Sequence, residues 1–344
     1  MMTNANAASP SMTMLHMATG CWVSQAIHIA AKLGIADLLQ EDGAKSCDAL
    51  AVATQTHAGA LYRLLRALAS LGVFAEFEDG HFQLTPLAEC LCTNVPGSLR
   101  GFAIMLGEEE HWRAWGEVLY SVRTGQPAFD HVFGMQQFRY FAEHPEAGRL
   151  FNEGMTSRSG QENDAVISAY DFSGLGTVVD VGGGLGTLLA TVLQATANTR
   201  GVLFDLPHVI ASARTTIGQT GQPARCEFRE GDFFDAVPSG GDAYMLKKVI
   251  HDWDDDRALS ILRNCRRAIP SAGRLLLIEP VIPPGNGPSF NKLLDLLMLV
   301  WTPGGKERTE AEHRTLLASA GFKLARIIPT ASPVSIIEAV PTDR

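Results

Sequence analysis

Residues 177–189 read TVVDVGGGLGTLL, and this stretch decides the fold. It begins with a β-branched run, Val178–Val181, that predicts a short strand. Glycines at 182, 183, 184 and 186 break the run, and the apolar residues at 188–193 then predict a helix. Glycine suits such a turn because it adopts dihedrals that other residues avoid and has no Cβ to keep a ligand away. A strand, a glycine turn and a helix in this order predict a nucleotide-cofactor pocket.

A second strand, Gly201–Phe204, supports this interpretation. It ends in Asp205, whose carboxylate can accept hydrogen bonds from both hydroxyls of a ribose. The distance from Gly182 to Asp205 leaves room for one intervening helix. A dinucleotide-binding fold is the main competitor, but its fingerprint requires a third glycine at position 187, which is threonine.

Three further segments follow in an order that fits such a pocket. Gly231–Phe234 puts an acid and an aromatic residue after a predicted strand, where they can bond an adenine amine and cover its ring. Taken alone, the same residues fit a solvated aspartate beside two core phenylalanines. An apolar strand over Ala243–Leu246 leads into Lys247–Trp253, and a strand over Arg274–Pro280 carries Glu279 near its end. In an open α/β sheet such strand ends meet along one edge, where ligands bind.

The motifs VVDVGGG, FDLP, GDFF, LKKVIHDW, LLLIEP and TPGGKERT occur in this order over residues 178–309. In this combination the chain resembles the S-adenosylmethionine-dependent O-methyltransferases of the caffeate, isoflavone and hydroxyindole type, which have many bacterial natural-product relatives. The resemblance implies an α/β fold in which a Rossmann-like methyltransferase domain, with a seven-stranded and mostly parallel sheet, follows a mainly helical, winged-helix dimerisation domain. The expected division is a disordered tail over 1–12, a dimerisation domain over 13–100, a helical connector contributing to the acceptor pocket over 101–165 and a catalytic domain over 166–344.

The resemblance also implies which residues hold S-adenosylmethionine, which becomes S-adenosylhomocysteine after methyl transfer. Gly182 and Gly184 match the turn against the amino-acid part of the cofactor, and Asp205 matches the ribose ligand. The remaining matches are the adenine contacts and two residues near the methionine end: Asp232, Phe233, Lys247 and Ser159. The last two have plain alternatives, because serine is common in loops and Lys248 lies beside Lys247.

His251 is the candidate general base. A histidine is more often structural than catalytic, and this chain has ten. The case for His251 rests on its predicted place at the mouth of the sheet, beside three acids: Asp252, Glu279 and Glu307. A phenol has a pKa of about 10 and imidazole of about 6.5, so proton transfer to histidine is uphill unless a partner stabilises the imidazolium. By the family pattern Glu279 and Glu307 orient His251, whereas the plain alternative makes Glu307 half of a surface ion pair.

The implied reaction is an in-line displacement of methyl from the cationic sulfonium to an oxygen of the acceptor. Alignment supplies most of the rate gain, and proton removal adds roughly 10²–10⁴-fold. We predict no metal site, because no cluster of carboxylates of the kind used by metal-dependent methyltransferases is visible. Of the six cysteines only Cys90 and Cys92 lie close together, and no histidine accompanies them at zinc-site spacing.

The first hundred residues have a different pattern. Two predicted strands, Val73–Phe77 and His81–Leu84, flank Asp79-Gly80, which is a hairpin signal. The helix before them has its leucines on one face: Leu61, Leu64, Leu65, Leu68 and Leu71. Helices followed by a hairpin predict a winged-helix module.

Nucleic acid is not the expected partner of this module. The chain has a net charge of −9, and the candidate recognition helix offers only Arg63 and Arg66. In the resembling family the module forms a homodimer, and its opening helix reaches into the partner's acceptor site. The apolar segment Thr13–Leu39 fits that role, although an intrachain helix is the alternative.

The acceptor pocket is implied to form from the aromatic stretch Phe102–Met155 and from Leu294–Trp301. Met155 and Met298 match positions that sandwich an aromatic substrate. Thr302 stands where the phenylpropanoid enzymes have an asparagine, which argues against a lignin-type substrate. The implied acceptor is a small hydroxylated aromatic or polyketide-like molecule.

The sequence also predicts a cellular location and leaves two other function classes open. A polar N-terminus, unpaired cysteines and short apolar stretches predict a cytoplasmic protein with no membrane association. One alternative is an enzyme with the same cofactor pocket that catalyses a hydroxylation or a pericyclic step instead of methylation. The other is a winged-helix regulator that senses a small molecule. The His251 and Glu279 set weighs against the first alternative, and the poor basic charge weighs against the second.

Overall fold

The computed structural model describes residues 9–77, 79–219 and 223–342 of the 344-residue chain. The chain forms two compact units: the first comprises the residues up to Trp112 together with Phe141–Arg158, and the second comprises Arg113–Tyr140 and the residues from Ser159 onward. The predicted connector over 101–165 is therefore not a separate body, because its residues are shared between the two units.

The helices in chain order are α1 (Pro10–Ala18), α2 (Gly20–Lys32), α3 (Ile35–Asp42), α4 (Cys47–Thr54), α5 (Ala58–Ser70), α6 (Pro86–Glu89), α7 (Arg100–Gly107), α8 (Glu109–Gly116), α9 (Val118–Thr124), α10 (Ala128–Phe133), α11 (Gln137–Glu143), α12 (Pro145–Ala169), α13 (Thr187–Ala195), α14 (Pro207–Gln219), α15 (Asp255–Ala268), α16 (Phe290–Trp301) and α17 (Glu310–Ser319). The strands are β1 (Lys45–Ser46), β2 (Phe74–Glu76), β3 (His81–Leu84), β4 (Thr177–Val181), β5 (Arg200–Asp205), β6 (Cys226–Glu230), β7 (Ala243–Lys247), β8 (Arg274–Ile282), β9 (Arg308–Thr309), β10 (Phe322–Pro329) and β11 (Val334–Pro341). Short 3₁₀ turns occur at Pro223–Arg225 and Ile250–Asp252.

The second unit contains the predicted α/β sheet. Its strand order is β10-β11-β8-β7-β4-β5-β6, and β8, β7, β4, β5 and β6 run parallel to their neighbours in that series. Strand β11 is antiparallel to both β8 and β10. The prediction of a seven-stranded, mostly parallel sheet is confirmed. Strand β9, an eighth strand of two residues that the sequence did not predict, pairs in parallel with the end of β8.

The central strand β4 is buried on both faces, which explains its run of valines. Val178 packs into one apolar cluster, and Val179 and Val181 pack into the other. Helix α13 buries five apolar residues against the same sheet: Leu188, Leu189, Ala190, Val192 and Leu193. The glycines between β4 and α13 therefore lie at the carboxyl edge of the sheet, as the sequence predicts.

The first unit has the predicted helices and hairpin. Helix α5 buries Leu61, Leu65 and Leu68 in the core of this unit. Leu71 lies beyond the end of α5 and is 51 % exposed, so its predicted place on the buried face is wrong. Strands β2 and β3 pair antiparallel, and β1 pairs with the other side of β3. This arrangement of helices with a small sheet is the predicted winged-helix-like module.

The N-terminal prediction needs one correction. Helix α1 begins at Pro10, where the Ser9 side chain accepts a hydrogen bond from the backbone N–H of Met12. A proline in the first turn and a serine at the N-cap are both helix-start signals. The predicted disordered tail over 1–12 is therefore wrong for residues 10–12, and residues 1–8 lie outside the described residues. Among the described residues, each helix is too short or too polar to cross a membrane.

Candidate active site

The glycine turn after β4 has the backbone that only glycine adopts easily. Gly182 has φ +66° and Gly184 has φ +58°, both in the left-handed region. A Cβ on Gly182 would lie 3.0 Å from a methyl of Val249 and 3.3 Å from the ring of Phe233, so a side chain does not fit there. A Cβ on Gly184 would meet nothing within 4 Å. The turn is therefore packed from behind at Gly182 and open at Gly184, which is the shape of a cradle for a ligand.

Asp205 connects this turn to the end of β5. Its Oδ2 accepts a hydrogen bond from the backbone N–H of Gly184 at 2.8 Å, and its Oδ1 accepts one from Leu206 N–H at 2.7 Å. Each carboxylate oxygen can accept a second hydrogen bond. The two backbone contacts fix the orientation of the carboxylate, and its remaining lone pairs can receive ribose hydroxyls.

Asp180 is a polar residue that the sequence analysis treated only as part of the strand. It is 1 % exposed, and neither of its carboxylate oxygens makes a hydrogen bond of normal geometry. Burial raises the pKa of Asp180 to about 7, and nearby Asp205 adds to the rise while Lys247 opposes it. A buried carboxylate without such a bond is costly, and its place below the glycine turn indicates a site built for a polar ligand.

Asp232 and Phe233 follow β6 at the same edge. Asp232 Oδ1 accepts a hydrogen bond from Phe234 N–H at 2.8 Å. Asp232 and Phe233 are both half-buried. The Phe233 ring packs edge-on against Trp253, with 6.3 Å between ring centroids, and it lies beside Gly182. The structure therefore brings Phe233 to the glycine turn, while the adenine contact of both residues stays a prediction.

Ser159 and Lys247, the two matches with plain alternatives, lie in direct contact. Lys247 Nζ donates to Ser159 Oγ at 2.7 Å and to Asn163 Oδ1 at 2.6 Å. The Asn163 amide in turn donates to Thr187 Oγ1 at 3.2 Å, at the start of α13. The sequence analysis missed Asn163, although its position four residues after Ser159 puts both on one face of α12.

His251 stands on the 3₁₀ turn that follows β7. Its Nδ1 lies 2.9 Å from Glu307 Oε1. A carboxylate only accepts hydrogen bonds, so Nδ1 carries the proton of this bond and Nε2 holds the lone pair of the neutral ring. Nε2 lies 3.5 Å from Asp252 Oδ1. The structure thus brings all four predicted catalytic residues together, since Glu279 Oε2 is 3.9 Å from Nδ1.

The two glutamates hold different parts of the histidine turn. Glu307 bonds the ring, whereas Glu279 Oε1 accepts hydrogen bonds from the backbone N–H groups of Val249 at 3.2 Å and Ile250 at 2.9 Å. Glu279 therefore orients the backbone before His251 through hydrogen bonds, and its effect on the ring is electrostatic. This division of roles is more specific than the family pattern, which assigns both glutamates to the ring.

The carboxylates dominate the electrostatics around the ring. Burial by itself lowers the pKa of His251, but the surrounding carboxylates outweigh burial and raise this pKa to about 9. Burial raises the pKa of Glu279 to about 7, even though His251 opposes that rise. Burial also raises the pKa of Asp252. The imidazolium form of His251 is therefore strongly stabilised, which is the support that a phenol-deprotonating histidine requires.

Arg308, which the sequence suggests only as an alternative surface partner of Glu307, holds the histidine turn in place. Its side chain is 1 % exposed and donates to the carbonyl oxygens of Ile250 at 3.1 Å and Trp253 at 2.9 Å, on either side of His251. It also donates to Asp255 Oδ1 at 2.8 Å. Adjacent residues of one segment, Glu307 and Arg308, thus fix the ring and the backbone of the turn.

The histidine and the two glutamates are also the candidate metal ligands. Among the described residues, one group of three metal-binding side chains has its ligand atoms within 4.8 Å of one another: His251, Glu279 and Glu307. In this group Glu307 Oε1 already accepts from the histidine and Glu279 Oε1 from two backbone N–H groups. Those bonds fit an oriented histidine, and the absence of a metal stays a prediction.

The three predicted acceptor residues do not behave alike. Met155 belongs to the first unit, and Met298 and Thr302 belong to the second, in which Met298 is buried. The sandwich of an aromatic ring by the two methionines stays a prediction. Thr302 is 3 % exposed, and its hydroxyl donates to Met298 O at 2.8 Å. Its hydroxyl proton is therefore already used inside the helix end, which argues against Thr302 as a donor to the acceptor.

Comparison with known protein families gives two matches. Residues 115–323 match the O-methyltransferase domain model, and residues 15–94 match the O-methyltransferase dimerisation domain model. Both matches agree with the order of the two regions that the sequence analysis predicts.

Individual relatives cover almost the entire chain. It is 49 % identical to the phenazine O-methyltransferase PhzM of Lysobacter antibioticus over 98 % of both chains. It is 41 % identical to the mitomycin biosynthesis 6-O-methyltransferase of Streptomyces lavendulae, over 98 % of this chain and 96 % of that one. Among solved structures, the calicheamicin biosynthesis methyltransferase CalO1, in a form with bound S-adenosylhomocysteine, matches with a TM-score of 0.89 and 36 % identity, covering 99 % of this chain and 100 % of the other.

Proposed function

The chain belongs to the family of S-adenosylmethionine-dependent O-methyltransferases, and from that premise we propose that it methylates a hydroxyl group of a small aromatic or polyketide-like natural product, with His251 as the general base. The observation that carries the proposal is the 2.9 Å contact between His251 Nδ1 and Glu307 Oε1 on the turn that follows β7. This contact leaves Nε2 as the proton-accepting atom of the neutral ring.

The residues of the glycine turn bind and orient the cofactor in this proposal. When bound, S-adenosylmethionine supplies an electrophilic methyl group on a cationic sulfonium. Asp205 receives the ribose hydroxyls, and Asp232 and Phe233 receive the adenine. Ser159 and Lys247, which are 2.7 Å apart, lie at the methionine end. The open side of Gly184 and the unbonded oxygens of Asp180 support a polar ligand at this edge.

His251 moves the proton of the acceptor hydroxyl. Its Nε2 accepts that proton while Nδ1 keeps the hydrogen bond to Glu307, so the positive charge that develops on the ring faces a carboxylate. Glu279 keeps the turn in position, and Asp252 lies beside Nε2 as a further negative charge. A positioned base of this kind contributes roughly 10²–10⁴-fold to the rate.

The class of acceptor follows from the relatives and from the predicted pocket residues. The two curated relatives described above are a phenazine O-methyltransferase and a mitomycin biosynthesis 6-O-methyltransferase. We propose a flat, hydroxylated acceptor, and its contacts with Met155 and Met298 stay predictions.

We further propose that the protein works as a homodimer in the cytoplasm. The match of residues 15–94 to a dimerisation domain supports the homodimer. All six cysteines are free thiols, which fits a reducing compartment. Regulation without catalysis has no support from the relatives, and a reaction without methyl transfer is the alternative that the following experiment tests.

The experiment is transfer of label from methyl-labelled S-adenosylmethionine to a panel of hydroxyphenazines, hydroxyquinones and phenols. We expect one acceptor class to gain label at an oxygen, because an oxygen nucleophile is what His251 is arranged to deprotonate. The control is the same acceptor with hydrogen in place of its hydroxyl, which should gain no label. Tight cofactor binding without transfer to any acceptor would favour the alternative reaction.

A further inference from the structure

Two adjacent lysines at the end of β7 share one buried glutamate, Glu162 on α12. Lys248 Nζ lies 2.5 Å from Glu162 Oε1, and Lys247 Nζ lies 3.3 Å from Glu162 Oε2. Glu162 is 1 % exposed, and the two lysine side chains are 10 % and 12 % exposed. Because charges screened so little by water interact strongly, this glutamate offsets part of the positive potential of the lysine pair.

The charges of the lysine pair affect two carboxylates of the candidate site, one below the glycine turn and one beside the histidine. Lys247 affects the pKa of Asp180, below the glycine turn, and its ammonium contacts Asn163, which bonds the first residue of α13. Lys248 affects the pKa of Asp252, beside the histidine. The charge on this cluster is therefore felt where the cofactor and the transferred group are proposed to lie.

Lys248 adopts a backbone conformation that is unusual for a residue other than glycine. Its φ is +54°, in the left-handed region that favours glycine or asparagine. Its backbone N–H donates to Ile278 O at 3.1 Å and its ammonium reaches Glu162, so both ends of the residue are held. A strained residue that is held at both ends is typical of a functional site.

We propose that Glu162 is a specificity-determining residue: its negative charge offsets one of the two lysine charges and thereby shifts the relative affinity toward the cationic sulfonium of S-adenosylmethionine and away from the neutral thioether of S-adenosylhomocysteine. This inference rests on the proposed function. The substrate and product cofactors differ by one methyl group and one positive charge. The ratio of their affinities therefore reports the potential at the sulfur, whereas a change in the shape of the pocket weakens both.

The test measures the dissociation constants of both cofactors by calorimetry for wild type and Glu162→Gln. The glutamine keeps the size of the side chain and removes its charge, so the lysine pair has one negative charge fewer beside it. We expect S-adenosylmethionine to lose affinity on the order of tenfold more than S-adenosylhomocysteine, because the loss of one buried negative charge penalises only the cationic ligand. The matched control is Glu310→Gln, which removes an exposed partner of Arg314 and should leave the ratio unchanged.

A second variant keeps the test decisive if Glu162→Gln folds poorly. Lys248→Asn removes one positive charge and suits the left-handed backbone, so it should shift the ratio in the opposite direction, toward tighter relative binding of S-adenosylmethionine. The double variant should return the ratio toward the wild-type value. Equal loss of both affinities in Glu162→Gln, or an unchanged ratio in Lys248→Asn, would overturn the inference.

The outcome is separable from the proposed function. If wild type bound neither cofactor, the proposed function would fail before the variants were compared. If wild type bound both and transferred methyl groups while the variants kept the wild-type ratio, only the role of Glu162 would fail.

Discussion

At the residue scale, the carboxylates around His251 make proton transfer from a phenol to the ring less unfavourable. A phenol loses its proton to ordinary imidazole only uphill, since their pKa values are about 10 and about 6.5. The carboxylates around His251 outweigh burial and raise its pKa to about 9, close to that of the phenol. The cost is that near neutral pH most of the free enzyme carries His251 protonated, and a protonated ring cannot accept a proton.

The pH dependence of kcat/KM follows from this shift. Because only neutral His251 accepts a proton, log kcat/KM for S-adenosylmethionine should rise with pH and level off near pH 9. The limb for kcat should lie at lower pH, since the bound sulfonium disfavours a second positive charge nearby. The measurement is a steady-state profile with an acceptor whose own hydroxyl ionises outside the range.

Glu307→Gln gives the comparison for this profile. It removes the carboxylate that lies 2.9 Å from Nδ1, so the rising limb should move to lower pH by about one unit. A profile that is flat between neutral pH and pH 9, or a limb that stays in place in the variant, would show that another group controls the rate.

At the element scale, the sequence predicted the segments whose signals are local. The valine run of β4, the glycine turn and the Asp79-Gly80 hairpin each have a pattern within a few residues, and the structure confirms them. Strand β9 has two residues and no such pattern, because its pairing with β8 is set by packing. Yet this pairing begins one residue after Glu307, and it thereby helps to bring Glu307 to the histidine.

Helix α1 supports a prediction at the same scale. This helix has nine residues, and none of their side chains is buried. Its Met14 and Met17 are 64 % and 71 % exposed. Exposed apolar side chains on one helix are typical of an interaction surface, and we expect a second copy of the chain to pack against them. Wild type should therefore elute as a dimer in size exclusion with light scattering, and Met14→Glu/Met17→Glu should shift it toward monomer. Thr315→Glu, on an exposed position of α17, should leave the dimer intact, whereas a variant of α1 that stays dimeric would contradict the role of this helix.

At the scale of the whole molecule, the sequence predicted the type of site and several of its members but not the supports around them. Most of the predicted cofactor and catalytic residues lie just after the parallel strands, and parallel strands bring their carboxyl ends to one edge whatever the loops do. Arg308 bonds carbonyl groups more than fifty residues away in sequence, and Glu162 meets lysines on another element, so only the packed chain defines their roles. The Thr302 hydroxyl donates to a carbonyl four residues earlier, and its contact with the acceptor stays a prediction.

The most direct test of the account is methyl transfer by His251→Ala, measured together with its affinity for S-adenosylmethionine. His208→Ala, which changes an exposed histidine on α14, is the matched control. We expect His251→Ala to lower kcat by roughly 10²-fold or more, with cofactor affinity nearly unchanged, because the ring moves a proton and does not hold the cofactor. Transfer at the wild-type rate, or an equal loss of rate and cofactor affinity, would contradict the assignment of His251 as the base.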